Sequence, residues 1–365
     1  MKPLEHSWTI IWLLLSDASA SDTFTIEDTR DIIEDLRSTL LSDAKCLPES
    51  SPSSATVSFN QLMKCSDGSS CFTTLLEQYL QFLEEAVSEG RNLAKLCNSV
   101  DLFVLVLHFT FKSGLQDPLP LFTTTGVDLS ARNRSGRTAL MISSRHGYVE
   151  CVKALVAAKC DVNETAIEGG ETALVFAAKH GHRACIDYLL ENRADVNGTA
   201  PRTTTALMSA AEFGDASVVD LLISAQADLE ARSYDGLTPL VWAALEGKVE
   251  CVKVLLRAGA EVNPSKCGDF APVLCAVYTG NGECLKELLT AKADPNVTTS
   301  DDRTVLMEAA FRNFAECVGL LLDARANLHA VDGSGLNALM CASIKNSAES
   351  LRILLESSTR LYSSS

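Results

Sequence analysis

Thirteen cysteines and six histidines are the residues of this 365-residue chain best suited to nucleophilic, redox or metal chemistry. Their spacing argues against all three. No two cysteines stand in a C-x-x-C pair, the spacing that closes a zinc or dithiol site. Cys151, Cys185, Cys251, Cys284 and Cys317 follow one another at 33 or 34 residues, or at twice 33. Each then occupies the same spot of a repeating element, and a small buried apolar residue is expected there. The alternative is a column of thiols that responds to oxidation. His146 and His180 are also 34 residues apart. One layer of packed helices, about 10 Å, separates such positions, too far for one ion to hold both. The sequence contains no G-x-S-x-G, no phosphate-cradling G-x-x-x-x-G-K-[ST] and no G-x-G-x-x-G. These observations predict neither an enzyme nor a cofactor.

The same period governs the rest of the sequence. A four-residue phrase recurs as Thr138–Met141, Thr172–Val175, Thr205–Met208, Thr238–Val241, Ala271–Leu274, Thr304–Met307 and Asn337–Met340. The first step is 34 residues and the later ones are 33. A period of this length marks a solenoid, in which each unit hides its apolar side only against its neighbours.

Every unit has one internal order. A turn dipeptide such as Ser135-Gly136 or Asp235-Gly236 comes first. The Thr hydroxyl is placed to accept backbone N–H groups of the next helical turn. Pro239 and Pro272 sit where a missing N–H costs nothing. Small pairs such as Ala177-Ala178 and Ala243-Ala244 let neighbouring helices approach. Gly147, Gly181, Gly214, Gly247, Gly280, Asn313 and Asn346 form one column, at which a left-handed residue ends the first helix. A second helix follows, opening with the cysteine column and closing with a Leu-Leu type pair.

This order, together with Ala194-Asp-Val-Asn197 and its counterparts, resembles the ankyrin repeat over roughly residues 100–360. The resemblance implies an all-α ankyrin-repeat solenoid of helix-turn-helix units with hairpin loops. It has about seven clear repeats and, before them, a degenerate one within 101–128. The family's His after Leu is replaced here by Met141, Val175, Met208, Val241, Leu274, Met307 and Met340, which puts its polar links in doubt. The family's Gly at the end of the second helix survives only as Gly259. Lys159, Arg193, Gln226, Lys292, Arg325 and Ser358 stand in its place, at about 1 kcal/mol for each left-handed residue. The unit at 264–296 has lost its capping Thr to Ala271 and is expected to be the weakest.

The resemblance also implies a non-catalytic scaffold for protein–protein interaction, binding a protein or extended peptide on the concave face and hairpin tips. Candidate binding residues on that face are Ile142, Arg145, Phe176, Lys179, Trp242, Leu245, Tyr278, Glu308 and Phe311, with Tyr234 at a hairpin. Aromatics along one groove favour an interface; the alternative is their partial burial between units.

The formal charge is −16, and residues 1–100 carry 7 Lys and Arg against 15 Asp and Glu. Acidity in both halves gives nucleic acid no basic face and suits a basic partner. Residues 1–20, with Lys2, an apolar run at Trp8–Leu15 and Ala18-Ser-Ala20, read as a signal peptide or a docking helix. Residues 21–99 read as an acidic helical region with a Ser/Pro-rich linker at 46–58, the repeats as 100–362, and 363–365 as a serine tail. No stretch is long enough to span a bilayer. A cytoplasmic protein is expected, a secreted ankyrin effector being the alternative if residues 1–20 are removed. Cys46, Cys65, Cys71 and Cys97 would then be free to form disulfides.

Overall fold

The computed structural model describes residues 128–363 except 134, 168, 199–203 and 265–269. The expectations for residues 1–127, including the degenerate first repeat, the amino-terminal segment and the four early cysteines, lie outside the described residues. The chain forms two compact units. One comprises residues up to Ala177 with Ala184–Ala194, and the other Ala178–Arg183 with Asp195–Ser365.

The described residues contain fourteen helices and no strand longer than an isolated bridge. In chain order they are α1 Ala139–Arg145, α2 Val149–Ala157, α3 Ala173–Lys179, α4 Arg183–Glu191, α5 Ala206–Phe213, α6 Ala216–Ser224 and α7 Pro239–Leu245. Then come α8 Val249–Arg257, α9 Pro272–Tyr278, α10 Gly282–Thr290, α11 Val305–Phe311, α12 Ala315–Asp323, α13 Ala338–Ile344 and α14 Ala348–Ser363. Odd-numbered helices lead each hairpin and even-numbered ones trail it. In the second unit α5, α7, α9, α11 and α13 pack in sequence, and α6, α8, α10, α12 and α14 form a parallel row. The fold is an all-α ankyrin-repeat solenoid.

The caps explain where the leading helices begin. Thr138, Thr172, Thr205, Thr238 and Thr304 each accept the N–H three residues on through Oγ1, at 3.3–3.5 Å. Asn337 Oδ1 accepts from Met340 N–H at 3.0 Å. Ala271 offers no such bond, as the sequence predicts. Two methionines in the family's His column take over part of the lost polarity. The Thr138 and Thr304 N–H groups donate to the Sδ atoms of Met141 and Met307, each at 3.4 Å. A thioether thus closes the capping box that a Glu usually completes.

All seven residues of the Gly/Asn column have positive φ, from 55° at Asn346 to 93° at Gly214. Lys159, Arg193, Gln226, Lys292 and Arg325 are left-handed at φ 65–68°, as expected for residues standing where Gly is usual. Ser358 departs from the expectation. It lies inside α14, which runs on to Ser363 and is 16 residues long where the other trailing helices have 9.

Small and branched residues of both helix rows fill the core. Cys151, Cys185, Cys251, Cys284 and Cys317 are all 1% exposed or less, beside Leu155, Leu189, Leu222, Leu255, Leu288 and Leu321. Where the column turns polar, at Ser350, its Oγ donates to Asn313 Oδ1 at 3.2 Å. Successive hairpins are also tied by bonds from a backbone N–H to a side-chain oxygen. Asn197, Asn263 and Asn296 accept the N–H of Asp228, Asp294 and Asn327 at 2.7–2.9 Å, each 31 residues on. Glu230 does the same for Glu261 at 2.7 Å.

Candidate partner-binding face

The ends of the leading helices supply the candidate face. Two positions of each hairpin meet there: the last or next-to-last helical residue, and the residue after it. In the second unit a residue of the first kind lies beside the residue 34 positions later. Lys179 Nζ sits over the Phe213 ring at 5.3 Å, the Arg312 guanidinium over Tyr278 at 4.9 Å, and Lys345 Nζ over Phe311 at 4.7 Å. The ring quadrupole attracts each cation to the ring face. Glu212 and Glu246 bear the same 34-residue relation, but both are acidic.

Glu308 lies one turn deeper. Its side chain is 8% exposed, and both carboxylate oxygens are paired, Oε1 with Arg303 Nη1 at 3.1 Å and Oε2 with Arg312 Nε at 3.3 Å. Arg303 also stacks on Phe311 at 4.9 Å and reaches Asp332 Oδ2 at 3.5 Å. Asp332 accepts the N–H groups of Leu336 and Ser334, both at 2.9 Å. Those bonds, with Arg303 beside it, hold the Asp332 carboxyl below its ordinary range. Glu212 is shifted the other way. Burial raises its carboxyl pKa, Lys179 opposes that, and Glu246 adds to the rise.

The other sequence-predicted residues fall at several depths. Ile142 and Phe176 are buried, at 6% and 3% exposure, and the Arg137 guanidinium lies over the Phe176 ring at 5.1 Å. Arg145, Leu245 and Trp242 are half-buried. The Trp242 indole N–H is covered, with no acceptor among the described residues. Tyr234, at its hairpin tip, is 73% exposed. Sequence reasoning missed Phe213, Glu246, Arg303, Arg312, Asp332 and Lys345. The signal that could have found three of the six, Phe213, Arg312 and Lys345, is the interval of 34. A candidate on one leading helix has its neighbour one period plus one residue away.

The cysteine column shows no sign of reactive thiols. Burial pushes Cys185 up to about 12 and Cys251, Cys284 and Cys317 up to about 11. A thiol that stays protonated at neutral pH is a poor nucleophile and a poor metal ligand. No helix of the described residues is long and apolar enough to cross a membrane.

Solved ankyrin repeat domains share this fold. The chain spans 11% of a curated relative, the probable E3 ubiquitin-protein ligase XBOS33 of Oryza sativa subsp. japonica. That match is 41% identical over 56 residues and covers 15% of this chain. The crystal structure of the human ASB11 ankyrin repeat domain is 29% identical with a TM-score of 0.55, covering 60% of this chain and 98% of its own. The ankyrin repeat domain of Bcl-3, a member of the IkappaB family, is 24% identical with a TM-score of 0.53 and covers 61% and 100%. The Bcl-3 likeness shows the fold alone. The family model of ankyrin repeats matches three times, at residues 107–200, 196–266 and 273–364. With the period, the caps and the left-handed columns in agreement, the chain belongs to the ankyrin repeat family.

Proposed function

We propose that this chain is a non-catalytic scaffold that binds a protein or an extended peptide along the leading-helix ends and the hairpin tips. Ankyrin repeat domains are in general protein-interaction modules, and the face described above is this chain's own contribution. One observation carries the reading. Half-buried rings at Tyr278 and Phe311 meet the exposed cations Arg312 and Lys345 at these helix ends, where nothing in the core requires them. Interfaces are enriched in aromatic and Arg anchors of this kind. Leu245, Trp242, Lys179 and Tyr234 extend the same surface in the second unit, and Arg145 and Phe176 are candidates in the first. Acidic Glu212 and Glu246 favour a partner with basic residues, and the net charge of −16 disfavours nucleic acid. Buried thiols among the described residues suit a reducing compartment such as the cytoplasm. The deep burial of the thiol column weighs against the redox alternative.

The test is crosslinking capture of partners by the full chain and by a Tyr278→Ala/Phe311→Ala variant, with thermal unfolding as a control for folding. Loss of partners from a folded variant is the expected result. Recovery of the same partners at the same yield would remove these helix ends from the binding site.

A further inference from the structure

The rungs of the second unit's ladder are not alike. Three pair a cation with a ring: Lys179 with Phe213, Tyr278 with Arg312, and Phe311 with Lys345. By register a fourth would be Leu245 with Thr279, which carries no charge. Only Glu212 with Glu246 sets like charges side by side. Such juxtaposition costs free energy that a folded chain has no reason to retain at an adaptable surface position. Lys179 offsets part of it, leaving one net negative charge at that end. At the other end Arg303 and Arg312 pair with Glu308, Arg303 also reaches Asp332, and Lys345 lies over Phe311, so three cations stand against two acids. Lys345 is exposed and the Arg312 side chain is 42% exposed, so both remain open to a further acceptor while stacked on their rings.

Resting on the binding reading above, we infer that this ladder is electrically polarised and takes an extended peptide carrying charges of both signs. A Lys or Arg of the peptide sits against Glu212 and Glu246, and an Asp or Glu against Arg312 and Lys345. The spacing follows from the stack. The acidic rung is two layers from Tyr278–Arg312 and three from Phe311–Lys345, on the order of 20–30 Å at about 10 Å per layer. An extended chain covers that in roughly six to nine residues at about 3.3 Å each. The peptide cation relieves the Glu212–Glu246 repulsion, while the peptide carboxylate gains charge-assisted hydrogen bonds from a guanidinium already held in place by a ring. A peptide with its charges exchanged meets like charge at both ends, which is how charged surfaces reject wrong partners.

A random peptide library of about twelve residues, enough to span roughly 30 Å when extended, tests this by phage selection on the full chain. Peptides with Lys or Arg about six to nine residues from Asp or Glu are expected to be enriched. Their affinity should fall by about tenfold or more on a Glu212→Lys/Glu246→Lys variant. Selection on that variant should exchange the peptide cation for an acid while keeping the acid at the other end. If the enriched peptides need Tyr278 and Phe311 but show no charge spacing, or bind the charge-reversed variant equally well, the polarity is wrong and the binding reading stands. If no peptide is enriched, or the enriched ones ignore the Tyr278→Ala/Phe311→Ala change, the binding reading fails and the polarity with it.

Discussion

Two glutamates of the second unit show how differently one residue type fares at the two ends of the same row of helices. Glu308, on α11, is the more buried, yet two arginines hold its two oxygens. Glu212, on α5, keeps more contact with water, yet its nearest equivalent in the next hairpin is Glu246, and its carboxyl pKa is raised. Burial is the first cause of the rise at Glu212, and what differs at Glu308 is that two arginines compensate for the lost water. Glu308 is matched by Arg312 at the end of its own helix and Arg303 in the preceding loop, whereas Glu212 and Glu246 add to each other's charge and Lys179 opposes it.

The largest break in this comparison is Glu308→Ala. Removing one member of a buried charge network leaves its partners uncompensated, typically a loss of 3–5 kcal/mol. Arg303 and Arg312 reach solvent here, so a loss of roughly 2 kcal/mol is expected, read by urea unfolding. An unchanged midpoint would mean the clamp contributes nothing. Thr304→Ala strikes the same end more gently. It deletes the N-cap of α11 and should cost about 1 kcal/mol. The hairpin between the two ends lacks that cap, so Ala271→Thr should add up to about 1 kcal/mol, with α9 gaining amide-exchange protection. Unchanged exchange would show that the missing cap does not limit the stability of this hairpin.

Glu212→Gln is the smallest change and has the opposite sign. A carboxyl whose folded pKa is raised ionises first in the unfolded chain. It therefore costs nothing below the unfolded pKa, and its cost grows as pH rises through the folded pKa. The variant should melt slightly higher than the wild type at pH 7 and equally at pH 3.5. A higher melting temperature at both pH values would point to packing in place of charge. Asp332, lowered in the folded chain, behaves inversely: its contribution is present above the unfolded pKa and lost as pH falls through the folded one.

The fold was legible because its determinants are local and repeat. A Thr three residues before a helical N–H, a Gly or Asn after a short helix and a small residue every 33 positions each report the same geometry. Even Lys159, Arg193, Lys292 and Arg325 could be placed in the left-handed region from register alone. Ser358 could not, because register assumes that every hairpin ends alike, and α14 continues past that point. Met340 shows the same end effect. It is 47% exposed where its counterpart Met307 is 1%, since no described hairpin packs beyond α13. The candidate face was legible only in part. Tyr278, Phe311 and Glu308 follow from their columns. Arg303 and Asp332 reach them from hairpin tips, and the reach of a long side chain has no period. The sulfur acceptors of Met141 and Met307 were hidden for another reason, since an apolar substitution for His gives no hint that its thioether will face an N–H.

The side-chain staples between hairpins have a consequence for the length of the array. Each ties one hairpin to the next by the same kind of bond, from an acceptor on one loop to an amide 31 residues on. A deletion running from Asn197 to its equivalent at Asn263 would leave the amide of Asp294 facing the same acceptor chemistry it faces now. An array shortened by two whole units would thus keep this staple at the new junction.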